Sequence, residues 1–193
     1  CLGVFLASFM DAIAGGGGII SLPTYLMAGL PMHMALGTNK LSASLGSFAS
    51  VGRYVKNGCV NWRLALPSIV LALLGSTFGT RLQLALHEKY LQYLLLAVLP
   101  VAAIVVLRQR SFREEPGSIA PRRQAVFVLG ASLLIGAYDG FYGPGTGTFL
   151  LLAYTNLGRM DVRTASGNVK LVNLASGIGS LVTALLYGKV FWV

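Results

Sequence analysis

The feature that most constrains this chain is its set of long, unbroken apolar runs. "WRLALPSIVLALLGSTFGTRL" (62–82), "YLQYLLLAVLPVAAIVVLR" (90–108), "QAVFVLGASLLIGAYDGFY" (124–142) and "TASGNVKLVNLASGIGSLVTALLYG" (164–188) each come near the ~20 residues a helix needs to cross a bilayer core. Strands of a membrane barrel would alternate apolar and polar, and these runs do not. Composition agrees: 55% of the 193 residues are hydrophobic and 11% charged, against roughly 25% charged in soluble domains, and the mean hydropathy is +0.71. The expected class is an all-α polytopic membrane protein, with the lipid bilayer as its first partner.

The net charge of +9 does not argue for nucleic acid. The 15 Lys and Arg sit mainly in short connectors, as the positive-inside bias expects. Cys1 and Cys59 form neither a CxxC nor a framework, so no disulfide, metal or redox site is expected. An n-region and an A-x-A site are absent, so no cleavable signal is read. The chain opens on Cys inside an apolar run, which suggests a missing upstream segment.

Self-similarity organises the rest. "DAIAGGGG" from Asp11 is answered by "DGFYGPGTG" from Asp139, 128 positions later. "ALGTNKL" is answered by "ASGNVKL", and "NGCVNW" by "YGKVFW", both 130 positions later, which sets Lys40 opposite Lys170 and Trp62 opposite Trp192. The expected organisation is a first repeat over 1–108, a cytoplasmic linker over 109–123 and a second repeat over 124–193. The first half continues past its Trp with two long helices, so a full duplication predicts two more spans than this chain carries.

Charge sets the orientation. Arg108, Arg110, Arg113, Arg122 and Arg123 put the linker in the cytoplasm. Counting crossings from there puts the 53–63 loop inside and the 29–35 loop outside. The equivalents of these loops, 187–193 and 158–164, fall on the opposite sides, with Arg159 and Arg163 inside. Such an inverted-topology repeat is frequent in secondary transporters and needs an odd number of crossings per repeat. Segments 2–14 and 19–28 are therefore either two crossings or a re-entrant hairpin. A ten-residue helix covers only about half of a ~30 Å core, which favours the broken or re-entrant form.

Non-helical backbone inside a membrane needs burial or a watery cavity. Gly15, Gly16, Gly17 and Gly18, and the run Gly143-Pro144-Gly145-Thr146-Gly147, have the composition for such breaks. A short helix follows each, and its free N–H groups and positive dipole end attract anions. Close helix packing is the plainer use of glycine in membranes, but two clusters at equivalent positions, each after an Asp, point to a binding site. A lysine in an apolar segment either faces a cavity or snorkels to the interface. Thr38, Asn39 and Lys40 in one half, and Asn168 and Lys170 in the other, offer donors for an oxyanion, with Asn173 one turn beyond Asn168. Asp11 and Asp139 either carry a coupling proton, cap the next segment or pair with a lysine. His33 is expected in an exposed loop. Pro23, Pro67 and Pro100 read as kinks or helix ends, and the two Trp as interfacial anchors.

The glycine tract, Pro23 and "AGLPMHMALGTNK", repeated as "GPGTGTFLLLAYTNLGRMDVRTASGNVK", resemble the TauE/SafE family of sulfite and organosulfonate permeases over both halves. The resemblance implies a bacterial-type inner-membrane transporter of small sulfur-containing anions without an ATPase subunit. The chain departs from the pattern in lacking the final helices and in placing Pro144 opposite Gly16. The expected function is secondary transport of a small anion by alternating access. An anion channel, or a non-transporting integral membrane subunit, is the alternative. No HExxH, GxSxG or P-loop supports an enzyme, and no cofactor is called for. A homo-oligomer is left open.

Overall fold

The computed structural model describes residues 5, 7, 9, 17–108 and 119–191. Among them every regular element is helical: α1 (Gly18–Met27), α2 (Met32–Lys56), α3 (Trp62–Ala85), α4 (Glu88–Arg108), α5 (Pro121–Phe141), α6 (Thr146–Leu152) with a π turn (Ala153–Leu157), and α7 (Val162–Leu186). Helices α3, α4, α5 and α7 are long and apolar enough to span a bilayer, whereas α1 is short and apolar. Phe78, Leu96, Leu134 and Leu186 are largely exposed. Water would penalise so much open apolar surface, and lipid does not. The chain is a multi-pass membrane protein. Pro23, Pro67 and Pro100 lie inside α1, α3 and α4.

Small residues let backbones approach. Helix α3 lies parallel to α5, with Gly75 and Gly79 against the backbone of Leu133 and Ala137, and Gly136 and Gly140 against Ala72 and Ser76. A Cβ at any of the four would press on backbone atoms of the other helix, the close approach that small residues allow between membrane helices. Helix α7 runs antiparallel to α2. Gly37 meets Ala184 and Lys189, Ser44 meets Gly177, and Cys59 meets Gly167.

These contacts sort the loops into two ends. One end gathers the 57–61 turn, the starts of α3, α5 and α7, and Gly158, whose carbonyl accepts from Gln124 Nε2 at 2.7 Å. Arg53, Lys56, Arg63, Arg122, Arg123, Arg159 and Arg163 belong to this end. The other gathers the start of α2, the α3–α4 turn and the 187–191 loop. The Gln124–Gly158 bond shows that α5 leaves the basic end and that α6 with its π turn returns to it. The returning arm has seven residues and then five, about 18 Å of helix, well short of a ~30 Å core. That arm is too short to cross such a core by itself. Of the first glycine cluster only Gly17 and Gly18 are described. Asp11, Gly15, Gly16 and Trp192 lie outside the described residues.

Two apolar clusters flank the middle. Val128, Leu150, Tyr154, Val169 and Val172 belong to the one on the basic side. Leu22, Met32, Leu36, Leu91, Leu95 and Tyr142 form the other. Between them the packing turns polar.

Candidate functional site

The described end of the first glycine cluster meets the second glycine run. A Cβ on Gly18 would sit 3.3 Å from the Pro144 Cα and 3.6 Å from Asn39 Nδ2, and one on Gly143 would come 2.7 Å from Lys40 Nζ. The N-termini of α1 and α6 thus approach each other from opposite ends of the molecule. Gly143 (φ 95°) and Gly145 (φ 79°) occupy the left-handed region, where a side chain is strained, and this lets the backbone reverse between α5 and α6. The Tyr138 hydroxyl holds that reversal by donating to the Pro144 carbonyl at 2.7 Å.

Lys40 lies eight residues into α2, and its ammonium pairs with Asp139 Oδ1 at 2.8 Å, both side chains 7% exposed. Thr146 Oγ1 donates to the same oxygen at 2.9 Å, and Ser176 Oγ on α7 donates to Oδ2 at 2.7 Å. The carboxylate therefore joins α2, α5, α6 and α7. Burying two charges is tolerable only when they are paired and their remaining lone pairs are satisfied, and both conditions hold. Beside the pair, Gly18, Asn39, Lys40, Ser44, Gly143 and Asn173 help line a cavity of about 20 Å³, room for about one water. Ser44 Oγ in its wall is buried without a hydrogen-bond partner.

Of the residues singled out from the sequence, Gly18, Asn39, Lys40, Asp139, Gly143 and Asn173 line this cavity, and Thr146 touches it through Asp139. Asn39 accepts from Ser21 Oγ, which ties α1 to α2, and Gly17 accepts from the same hydroxyl at 3.1 Å. Gly145 is the N-cap of α6, and Gly147 lies buried in its first turn. Thr38 and Asn168 do other work. Thr38 Oγ1 accepts from the Phe191 amide at 3.1 Å, and Asn168 Oδ1 accepts from the Asn61 amide at 2.9 Å. These contacts are one arrangement met twice, since Asn168 and Phe191 lie 130 positions beyond Thr38 and Asn61. The Gly37–Lys189 and Gly167–Cys59 contacts pair in the same way. Lys170 is buried in the eighth position after the start of α7, as Lys40 is in α2.

His33 departs from expectation. It is the second residue of α2, not a loop residue, and is 8% exposed, with Gln83 Nε2 at 2.6 Å from its Nδ1. Met32–Lys56 begins one helical turn earlier than the polar "GTNK" suggests, because Pro31 supplies the N-cap. Sequence reasoning also missed Ser176 and Ser44. For Ser176 the signal was available as a polar stripe on α7 at helical spacing, Asn173, Ser176 and Ser180.

The fold defines a helical multi-pass membrane protein with a buried polar centre. Comparison places it more closely: the sulfite exporter TauE/SafE family matches residues 1–193, and the chain belongs to that family. It is 35% identical over 191 residues to a probable membrane transporter protein, ORF9, of a Sinorhizobium species, covering 97% of this chain and 72% of that protein. A probable membrane transporter protein of Haemophilus influenzae is 37% identical over 200 residues, covering 100% and 74%. YfcA of Escherichia coli, also a probable membrane transporter protein, is 34% identical over 191 residues, covering 97% and 69%. No solved structure gives a significant match. The chain is a membrane transporter.

Proposed function

We propose that this chain is a secondary transporter of a small oxyanion, sulfite or an organosulfonate, working by alternating access in the inner membrane. The observation that carries the reading is the buried Lys40–Asp139 pair where Gly18 at the start of α1 meets the Gly143–Gly145 reversal. A carboxylate held by an ammonium and two hydroxyls occupies a donor set that suits a sulfite or sulfonate oxygen equally well. The substrate competes with Asp139 for Lys40, and a proton on Asp139 releases the lysine to it. Sequence equivalence gives the same part to Asp11 and Lys170.

An inverted repeat, 1–108 against 124–193 with 109–123 as cytoplasmic linker, supplies the motion. The contacts recurring at 130 positions, on opposite ends of the antiparallel α2 and α7, support it, as does the basic end as the cytoplasmic one. A cavity with room for about one water suits a closed, occluded carrier better than an open channel. The family description, sulfite exporter, supports the substrate class.

The test is uptake of labelled sulfite and of a small sulfonate into proteoliposomes of the full-length protein, with the other anion preloaded. Saturable flux accelerated by preloading is expected. Lys40→Ala should lower it roughly tenfold or more, the worth of one charge-assisted hydrogen bond, with insertion retained. Linear flux without counterflow would replace the carrier with a channel, and unaltered kinetics in K40A would remove Lys40 from the site.

A further inference from the structure

His33 has no part in that scheme, yet it is a buried titratable side chain bonded to Gln83, which lines a cavity together with Lys40. Among the described residues the groups around it are Gln83 on α3, His87 in the α3–α4 turn, Glu88 at the start of α4 and Lys189 in the loop after α7. Gln83 is 3% exposed. It also lines, with Gly37, Lys40, Thr80 and Ser180, a second cavity of about 10 Å³, near the lower limit for one water. His33 and Lys40 lie seven residues apart on α2 and so share a face. Gln83 thus stands between the imidazole and the space beside the lysine.

An amide can present only one of its ends to a given neighbour. While His33 is neutral with Nδ1 unprotonated, that nitrogen accepts from Gln83 Nε2, which leaves the carbonyl oxygen of Gln83, a residue of the cavity wall, without the imidazole as a partner. A carbonyl oxygen turned to that cavity would repel an anion. A proton on Nδ1 turns it into a donor. The Gln83 amide must then turn over, so that its oxygen meets the imidazolium and its NH2 group faces the cavity beside Lys40. We propose that His33 is a pH switch at the end of the molecule away from the basic loops, acting through Gln83 to decide whether the cavity beside Lys40 accepts an anion. The proposal rests on anion transport through Lys40. At the equivalent position of the basic end, 130 positions beyond His33, stands Arg163, a permanent cation whose Nε donates to Cys59 Sγ at 3.1 Å.

The test uses the full-length protein in oriented proteoliposomes and labelled sulfite, with external pH stepped from about 8 to about 5, the range of histidine titration. Sulfite's own protonation is common to all variants, so the ratio of wild-type to His33→Gln uptake isolates the histidine. That ratio should rise roughly fivefold or more towards acid, the low end of ordinary coupling between sites. Gln83→Leu, with His33 intact, should flatten the wild-type response. A constant ratio with flux in both proteins, or an unchanged response in Q83L, overturns the switch and leaves the transport reading intact. If no protein moves sulfite at any pH, the transport reading fails. The switch is then judged on nitrogen-15 histidine spectra of the solubilised protein, with the His33 signal assigned by its loss in H33Q. An unprotonated Nδ1 in the neutral ring of wild type, lost in Q83L, supports it; a protonated Nδ1 in neutral wild type overturns it.

Discussion

Helices α2 and α7 have the same length, 25 residues each, lie antiparallel, and carry their lysines at the same distance from their starts. Their surroundings differ. Helix α7 is apolar enough to pass as a membrane span, and 61% of its most apolar window is buried. Helix α2 is not among the candidate spans. It holds His33, Lys40, Arg53 and Lys56, and it leaves Leu45 and Phe48 68% exposed. Yet both ends of the pair are clamped by the same contacts. A glycine packs on the far loop at 37 and 167, and a polar side chain accepts that loop's amide at 38 and 168. A helix too polar to prefer hydrocarbon is thus held by backbone-level contacts with one that does prefer it. Geometry repeats where composition has drifted.

The largest effect should come from the ion pair. Lys40→Met leaves a buried carboxylate without its cation and should cost about 3–5 kcal/mol, read as a lower unfolding temperature in detergent. Adding Asp139→Asn should recover most of the loss. If the two halves are equivalent, Lys170→Met is rescued by Asp11→Asn; rescue by Asp139→Asn instead would break the comparison.

Next come the glycine contacts. Gly37→Ala and Gly167→Ala each set a methyl against a backbone carbonyl, of Lys189 and of Cys59, and overpacking of this kind costs about 1–3 kcal/mol. The two should lower the unfolding temperature by similar amounts. A large loss in one and none in the other would show that only one end of the pair is clamped.

The smallest effect concerns the turns after the two helices. Gly58 has φ 65° and Gly188, 130 positions on, has φ 63°, both left-handed with nothing within 4 Å of a Cβ. With no clash to relieve, Gly58→Ala and Gly188→Ala isolate the backbone term, about 1 kcal/mol each. Unequal losses here would sharpen the comparison by locating the difference in the loops rather than in the helices.

Much of the architecture was readable in advance. The runs at 62–82, 90–108, 124–142 and 164–188 became α3, α4, α5 and α7 with ends moved by at most three residues, because apolar length is a local property. The second glycine break was legible for the same reason: a helix cannot pass easily through Gly143-Pro144-Gly145. The site was legible only in part. Lys40 is neither a snorkelling interfacial lysine nor a free donor, since it is buried and paired to a carboxylate 99 positions away. Thr38 and Asn168 look like its companions in sequence, but one or two residues along a helix turn the side chain by about 100° each, towards a loop.

His33 carries the same lesson: no local pattern tells an exposed imidazole from one buried against Gln83, fifty positions on. What the sequence by itself determined is the set of helices, the places where they break and the repetition of motifs, all of which follow from hydropathy, glycine and proline acting over a few neighbouring residues. What only the tertiary structure decided is which polar groups meet. A buried charge or hydrogen-bonding group takes whichever partner the packing of α2 beside α3, α5 and α7 brings within about 3 Å, and that depends on how whole helices are placed.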